Sequence, residues 1–152
     1  GTGFVLRQWR ILGVGALFGS DLTAFATSQL RRSFPDVEMC QLDISRPLPR
    51  CLAPESFDCI SALDVLYHIV DDAAYRQALL NIAALLKPGG YFFLADNFLH
   101  GETQRGPHQV SHSLQTLTDW LNAADMHIEF RIPQYVLMNY PVDTRHPLWH
   151  RW

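Results

Sequence analysis

Short apolar runs alternate with helical segments along most of this chain, and this alternation constrains the fold more than any other feature. Runs with the length and composition of strands lie at 16–20, 37–42, 57–63 and 91–95. Segments whose apolar residues recur every three or four positions lie at 4–12, 23–34, 72–86 and 114–124. Because strands that alternate with helices are joined by right-handed crossovers, the sequence predicts an α/β fold with a doubly wound, mostly parallel sheet.

The last part of the chain departs from this alternation. A polar loop at 96–112 precedes the final helix, and two strand-like segments at 127–132 and 134–140 are separated only by Pro133. Strands joined by so short a link pair in antiparallel fashion, so we expect the sheet to end in a C-terminal antiparallel strand pair. The predicted domain covers residues 1–143, and the tail at 144–152 stays unassigned.

Composition favours one globular domain that acts on a small molecule. The 152 residues are 48% hydrophobic, which is enough for one core. Twelve Lys and Arg against fifteen Asp and Glu give a net charge of -3, which argues against nucleic acid as a partner. No stretch approaches the roughly 20 apolar residues of a membrane span, so we expect no membrane partner. Three cysteines without a paired spacing favour a reducing, cytoplasmic location.

An ordered set of short motifs carries the strongest functional signal. GTG stands before the first helix, Asp21 and Asp43 each follow a strand, FDCISALDVLYHI covers the third strand, and LLKPGG closes the next helix. In this order they resemble a class I S-adenosylmethionine-dependent methyltransferase over nearly the whole chain. The resemblance implies a Rossmann-like sheet, S-adenosylmethionine as cofactor and a small-molecule methyl acceptor. It also implies a first strand ahead of Gly1, so we expect that strand to be missing from the chain.

The resemblance implies a cofactor role for eight residues. A glycine turn would approach the ligand closely, an acid after one strand would accept from the ribose hydroxyls, and an acid after the next would accept from the adenine amino group. The end of the third strand would border the methionine part. In that order the residues are Gly1 and Gly3, Asp21 and Leu22, Asp43 and Ile44, and Leu63 and Asp64. Structural explanations stay open: Asp21 could cap the helix near Thr23, and Leu63 could belong to the core.

Few catalytic groups are expected for methyl transfer, because the methyl of a sulfonium is already activated and the protein must mainly align the reactants and exclude water. A base within reach helps a hydroxyl or amine acceptor. His68 is the first candidate, with Tyr67 beside it, just past the third strand. His100, His108 and His112 in the polar loop are candidate acceptor contacts. No cysteine or suitably spaced acid completes a metal site with them, so we expect no metal.

Two other functions share part of this pattern. A NAD-dependent Rossmann oxidoreductase would also have the glycine turn and an acid after the second strand. The second acid at Asp43, the LLKPGG turn and the antiparallel closing pair favour methyl transfer over that function. The chain could instead be a truncated domain without catalysis, since the resemblance leaves part of the cofactor wall ahead of Gly1.

Overall fold

The computed structural model of the chain describes residues 2–132, and the chain divides into two compact units between Pro47 and Leu48. The first unit contains α1 (Phe4–Ile11), β1 (Phe18–Asp21), α2 (Ala24–Ser33) and β2 (Glu38–Gln41). The second contains β3 (Phe57–Leu63), a 3-10 turn (Leu66–His68), α3 (Asp72–Leu85), β4 (Leu86–Ala95), β5 (Gln104–Arg105), β6 (Val110–Ser111) and α4 (Leu114–Ala123).

In the first unit, two parallel strands and α2 enclose a small core. β1 and β2 run side by side, with Asp21 opposite Gln41 at their carboxyl ends. α2 begins after Thr23, whose hydroxyl accepts a hydrogen bond from the backbone N–H of Ala26 at 3.2 Å. The buried side chains are Leu30, Phe34, Val37 and Met39, with Leu6 and Leu17 packed against them. Most of these residues belong to the apolar pattern of the sequence.

In the second unit, α3 contacts a parallel pair of strands. The regular part of the β3–β4 pair runs from Cys59 opposite Tyr91 to Leu63 opposite Ala95. α3 begins after Asp71, whose carboxylate accepts from a backbone N–H of the first turn at 2.8 Å. The apolar residues that α3 buries recur every three or four positions, as a helix face requires. They are Tyr75, Ala78, Leu79, Ile82 and Leu85.

The four predicted helices and first four predicted strands are confirmed, with differences at their ends. The largest difference is at β4, which begins at Leu86, directly after α3, although the sequence predicts a turn there and a strand from 91. The pairing with β3 is irregular between Phe57 and Cys59. Gly89 has a φ of 76°, which lets this part of the chain turn without steric cost.

Two predictions for the later part of the chain are wrong. The 96–112 segment is not irregular throughout, because β5 and β6 form a short antiparallel hairpin within it. Residues 127–132 form no strand. Their apolar alternation is real, but a strand needs a hydrogen-bonded neighbour and no described strand pairs with them, so Phe130 and Ile132 remain exposed. The expected partner segment at 134–140 lies outside the described residues.

The described strands form three two-stranded sheets, of which β1–β2 and β3–β4 are parallel and β5–β6 is antiparallel. The α/β class is therefore confirmed. The doubly wound order and the domain limits of 1–143 stay predictions. Within residues 2–132, no helix combines the length and the apolar character that crossing a membrane requires.

Candidate functional site

Acidic residues follow both parallel strands of the second unit. Asp64 comes directly after β3 and Asp96 directly after β4. The two strand ends are joined by a hydrogen bond of 3.0 Å from the backbone N–H of Asp64 to the carbonyl of Ala95. Asp64 has a φ of 56°, in the left-handed region that few residues other than glycine adopt. Ligands of open α/β folds bind beyond such carboxyl ends, so this edge is a candidate site.

The carboxylate of Asp96 is held by two hydrogen bonds. The hydroxyl of Tyr75 donates to Asp96 Oδ2 at 3.1 Å, and the backbone N–H of Asn97 donates to Oδ1 at 2.7 Å. Burial raises the pKa of Asp96 to about 6; the hydrogen bonds and the charge of His68 oppose this rise, and the charge of Asp64 adds to it. Burial and the neighbouring Asp96 carboxylate also raise the pKa of Tyr75. Asp96 is therefore a better proton acceptor than an ordinary carboxylate.

Two aromatic rings, those of His112 and Trp120, fix the position of Tyr75. The His112 ring lies 4.6 Å from the Tyr75 ring and 4.7 Å from the Trp120 ring, edge-on to both. Tyr75 is completely buried and His112 is 2% exposed. Within the described residues, neither ring nitrogen of His112 has a hydrogen-bond partner, and burial lowers the pKa of this histidine. His112 belongs to the segment predicted as a polar loop, but Tyr75 and Trp120 cover its ring, so it is not exposed as His100 and His108 are.

The 3-10 turn places Tyr67 and His68 close to the β5–β6 hairpin. The two rings lie 4.2 Å apart. His68 Nδ1 is 3.2 Å from the carbonyl oxygen of His108, and it donates to that oxygen when it carries the proton. His68, His100 and His108 are exposed. The structure therefore brings His68 and His108 together, whereas His112 lies in the core.

An ion pair and hydrogen bonds of Arg105 connect the β5–β6 hairpin to the start of α3. The guanidinium of Arg105 donates to both carboxylate oxygens of Asp72, at 2.7 and 2.6 Å. The same side chain donates to the carbonyl of Val70 at 3.0 Å. Both bonds to Asp72 come from Nη2, while Nη1 donates to Val70, so the guanidinium contacts two groups at the start of α3. The hairpin is therefore tied to the segment that follows His68.

In the first unit, Asp21 and Leu22 lie at the end of β1, beside β2. Both the backbone N–H and the hydroxyl of Thr23 donate to Asp21 Oδ1 at 2.9 Å. The N–H of Leu42 donates to the carbonyl of Asp21 at 2.9 Å, and the Gln41 side chain donates to the carbonyl of Leu22 at 3.1 Å. Asp21 is thus held in a fixed orientation at the strand end, while the residue that caps the helix is Thr23.

Asp43 and Ile44 follow β2 at the same edge of this unit. Asp43 Oδ1 accepts from the backbone N–H of Ser45 at 3.0 Å and from its hydroxyl at 2.6 Å. Arg46 lies 3.7 Å from Oδ2. The structure therefore places Asp21 at the end of β1 and Asp43 just past the end of β2, its parallel neighbour. A local turn accounts for part of the Asp43 geometry.

Gly3 precedes α1, and Gly1 lies outside the described residues. Gly3 has a φ of 75°, and a Cβ added there would lie 2.4 Å from a ring carbon of Phe34. Only glycine fits both conditions, so this position is fixed by backbone conformation and by core packing. That requirement holds whether or not the turn also approaches a ligand.

The family of the chain follows from residues 1–94, which match the methyltransferase domain family. This match covers more than half of the chain. The chain belongs to the methyltransferase domain family.

Solved structures show the fold of this methyltransferase domain in other proteins. The YcgJ protein of Bacillus subtilis superposes with a TM-score of 0.63 at 22% identity, over 82% of this chain and 57% of that protein. The 1,6-didemethyltoxoflavin-N1-methyltransferase of Burkholderia thailandensis gives 0.60 at 21% identity, over 82% of this chain and 56% of that protein. The chain therefore spans little more than half the length of these two proteins.

A third similar structure has a different reaction in its name. The [4+2]-cyclase SpnF superposes on the methyltransferase domain with a TM-score of 0.59 at 20% identity, over 82% of this chain and 47% of SpnF. The similarity to these structures shows the fold. The reaction must be argued from the residues at the strand ends.

Sequence reasoning overlooked three residues of this methyltransferase domain: Asp96, Tyr75 and Trp120. Asp96 has the same signal as Asp21 and Asp43, an acid directly after a strand, and could have been found by it. Tyr75 and Trp120 look like ordinary apolar helix positions, since nothing in the spacing shows which groups they contact. Across residues 2–132, no three His, Cys, Asp or Glu side chains are grouped as a metal site requires.

Proposed function

We propose that this domain catalyses S-adenosylmethionine-dependent methyl transfer to a small-molecule acceptor. The observation that carries the proposal is the placement of acids after parallel strands, in a chain that belongs to the methyltransferase domain family. Asp21 is the last residue of β1 and Asp43 lies just past β2, whereas Asp64 and Asp96 directly follow β3 and β4. Carboxylates at the carboxyl ends of parallel strands suit a ligand that offers hydroxyl, amino and cationic groups.

Asp21 fits the ribose of the cofactor by its chemistry. An ionised carboxylate accepts about four hydrogen bonds, so its bonds with Thr23 are compatible with accepting from two ribose hydroxyls. These bonds also fix the carboxylate before a ligand arrives, which lowers the entropic cost of binding. Leu22 is exposed beside it and offers an apolar surface. By the same resemblance, Asp43 and Ile44 contact the adenine, and Gly1 and Gly3 approach the ligand through their backbone.

The second unit supplies the groups near the reaction. Leu63 and Asp64 border the methionine part of the cofactor, which carries an activated methyl group on a sulfonium when bound. His68 is the proposed base, with Tyr67 against its ring, and it accepts the proton that a hydroxyl or amine acceptor loses. The contact of His68 with the hairpin supports this role because it orients the imidazole.

The acceptor is proposed to be a small molecule that the hairpin and its neighbouring loop help to select. His100 and His108 are exposed on this segment and are the proposed acceptor contacts. Support comes from the Burkholderia thailandensis enzyme, whose structure holds 1,6-didemethyltoxoflavin together with S-adenosylhomocysteine. Nucleic acid and membrane are not proposed as partners, since a net charge of -3 gives no overall electrostatic attraction to phosphates.

We also propose the doubly wound sheet of domain 1–143 that the sequence predicts, with one further strand ahead of Gly1. Among the described residues, β1 and β3 each have one hydrogen-bonded neighbour, and the apolar strand β3 is only partly buried. A second neighbour would bury more of this apolar strand. We expect the amide hydrogens of β3 to exchange more slowly in a protein that is extended ahead of Gly1 than in residues 1–152 alone. Equal exchange rates would contradict this sheet.

Isothermal titration with S-adenosylhomocysteine, the product form of the cofactor, tests the proposed function. We expect Asp21→Asn to weaken binding by about 1–3 kcal/mol, because the amide cannot match the acceptor strength of the carboxylate. Asp36→Asn is the matched control, since Asp36 is an exposed acid of the same unit that pairs with Arg10. Equal affinity in both variants would contradict the ribose assignment.

Two further measurements separate the alternatives. Binding of NAD in place of S-adenosylhomocysteine would support an oxidoreductase, and binding of neither would support a domain without catalysis. Because a cyclase shares the fold, cofactor binding alone does not establish methyl transfer. We therefore expect isotope from the methyl group of S-adenosylmethionine to appear in a small-molecule product. Cofactor binding without any labelled product would restrict the proposal to binding.

A further inference from the structure

Asp96 has no assigned contact with the cofactor or the acceptor in the proposed function. It lies directly after β4, and the neighbouring strand ends at Leu63 and Asp64, the residues proposed to border the methionine part of the cofactor. The 3.0 Å hydrogen bond between the two strand ends keeps Asp96 next to them. Asp96 is therefore positioned on the side of the site where the sulfonium would lie.

Two hydrogen-bond donors, the Tyr75 hydroxyl and the Asn97 backbone N–H, hold the Asp96 carboxylate in one orientation. Tyr75 donates to Oδ2 from a completely buried position, and its ring is fixed by His112 and Trp120. The N–H of Asn97 holds the other oxygen. The carboxylate held in this way lies at the carboxyl ends of two parallel strands, where ligands of open α/β folds bind.

We propose that the Asp96 carboxylate faces the sulfonium end of the cofactor and makes the domain favour S-adenosylmethionine over S-adenosylhomocysteine, with Tyr75 as its positioning residue. This inference rests on the proposed function. The two compounds share their adenosine and amino-acid groups, and they differ by one methyl group and one positive charge at sulfur. An ionised carboxylate nearby attracts the charged form and gains little from the neutral one.

This charge preference has a consequence for turnover. Transfer of the methyl group removes the positive charge at sulfur, so the attraction to Asp96 ends with the reaction. The product is then held less tightly than the substrate form of the cofactor, which favours its release. Asp96 stays in place throughout and exchanges no atom with the cofactor.

Ionisation of Asp96 should control the preference. The charged and titratable groups that face Asp96 are Asp64 after β3, His68 in the 3-10 turn and Tyr75 on α3. Since burial raises the pKa of Asp96 to about 6, its carboxylate is ionised at pH 8 and mostly protonated at pH 5. The affinity ratio of the two compounds is therefore expected to favour S-adenosylmethionine more at pH 8 than at pH 5.

The test is isothermal titration of both compounds into the protein at pH 8 and pH 5. The ratio of the two dissociation constants cancels effects that both ligands share, including any general effect of pH. We expect Asp96→Asn to lower the preference for S-adenosylmethionine about fivefold at pH 8 and to remove its dependence on pH. Asp58→Asn is the matched control, because Asp58 lies near the opposite end of β3 and pairs with Lys87. This control should keep the preference.

The outcomes distinguish this inference from the proposed function. If both compounds bind and the ratio is the same in Asp96→Asn as in the unaltered protein, the inference is wrong and the proposed function stands. If neither compound binds the unaltered protein, both fail. Tyr75→Phe tests the positioning role: loss of the donated hydrogen bond should move the midpoint of the pH dependence to higher pH. An unchanged midpoint would remove Tyr75 from the proposal.

Discussion

Asp96→Asn should stabilise the folded protein at pH 8. Burial raises the pKa of Asp96 from its ordinary value of 3.8 to about 6, so the folded protein binds this proton more tightly than the unfolded chain. The stabilising contribution of the protonated group is complete below pH 3.8 and is lost as the pH rises through about 6. Above that window, the buried charge costs folding free energy that an amide of the same shape avoids.

The magnitude follows from the size of the shift. Two pKa units correspond to about 3 kcal/mol, and discounting for the partial exposure of Asp96 leaves about 1–2 kcal/mol. Urea unfolding should therefore show Asp96→Asn to be more stable than the unaltered protein by about that amount at pH 8, with the difference shrinking towards pH 4. The amide oxygen can still accept from Tyr75, so the packing of α3 is retained.

A matched variant decides whether burial is the cause. The hydrogen bond and charge of Lys87 lower the pKa of the exposed Asp58, so its contribution to stability has the opposite sign and is lost as the pH falls. Asp58→Asn should therefore give no stabilisation at pH 8. If both variants stabilise the protein equally, the effect comes from net charge, and the burial of Asp96 is not its cause.

Three other predictions follow from packing and capping. His112→Phe keeps the ring contacts and removes two nitrogens that have no hydrogen-bond partner among the described residues, so the free energy of unfolding should rise by about 1 kcal/mol. Because burial lowers the pKa of His112, urea unfolding should show a larger gain at pH 5 than at pH 8. Equal gains at the two pH values would contradict this reasoning. In Gly3→Ala the new residue has an unfavourable positive φ and its methyl group also clashes with the Phe34 ring, whereas in Gly13→Ala only the positive φ is unfavourable. Gly3→Ala should therefore lower the melting temperature more than Gly13→Ala. The reverse order would refute the clash with Phe34 as the cause. Asp71→Ala should cost about 1 kcal/mol in urea unfolding by removing a helix cap, and Asp71→Asn should cost much less.

Helix starts are the part of this fold that sequence predicts best. Thr23, Asp71 and Ser113 each accept a hydrogen bond from the first turn of the helix that follows, and this chemistry depends only on neighbouring residues. The β5–β6 hairpin has two residues in each strand, too few for an apolar alternation to be visible. The segment 127–132 shows the opposite case, in which alternation is present and a pairing strand is absent among the described residues.

The candidate site also has residues that can be predicted from sequence and residues that cannot. The acids after strands can be found from sequence because the position of a residue after a strand fixes the edge of the sheet on which it lies. The environment of His112 cannot be found, since its neighbours Tyr75 and Trp120 come from two different helices. The raised pKa of Asp96 likewise becomes visible only when the burial of its carboxylate in the fold is known.

The left-handed backbone at Asp64 bears on how this protein can be made more heat-resistant. Glycine adopts a φ of 56° without a steric penalty, whereas a residue with a side chain gives up on the order of 1 kcal/mol there. A library screened for thermal tolerance alone should therefore enrich glycine at position 64. Such variants would lose a carboxylate at the strand end, so a screen of this kind needs a cofactor-binding filter beside it.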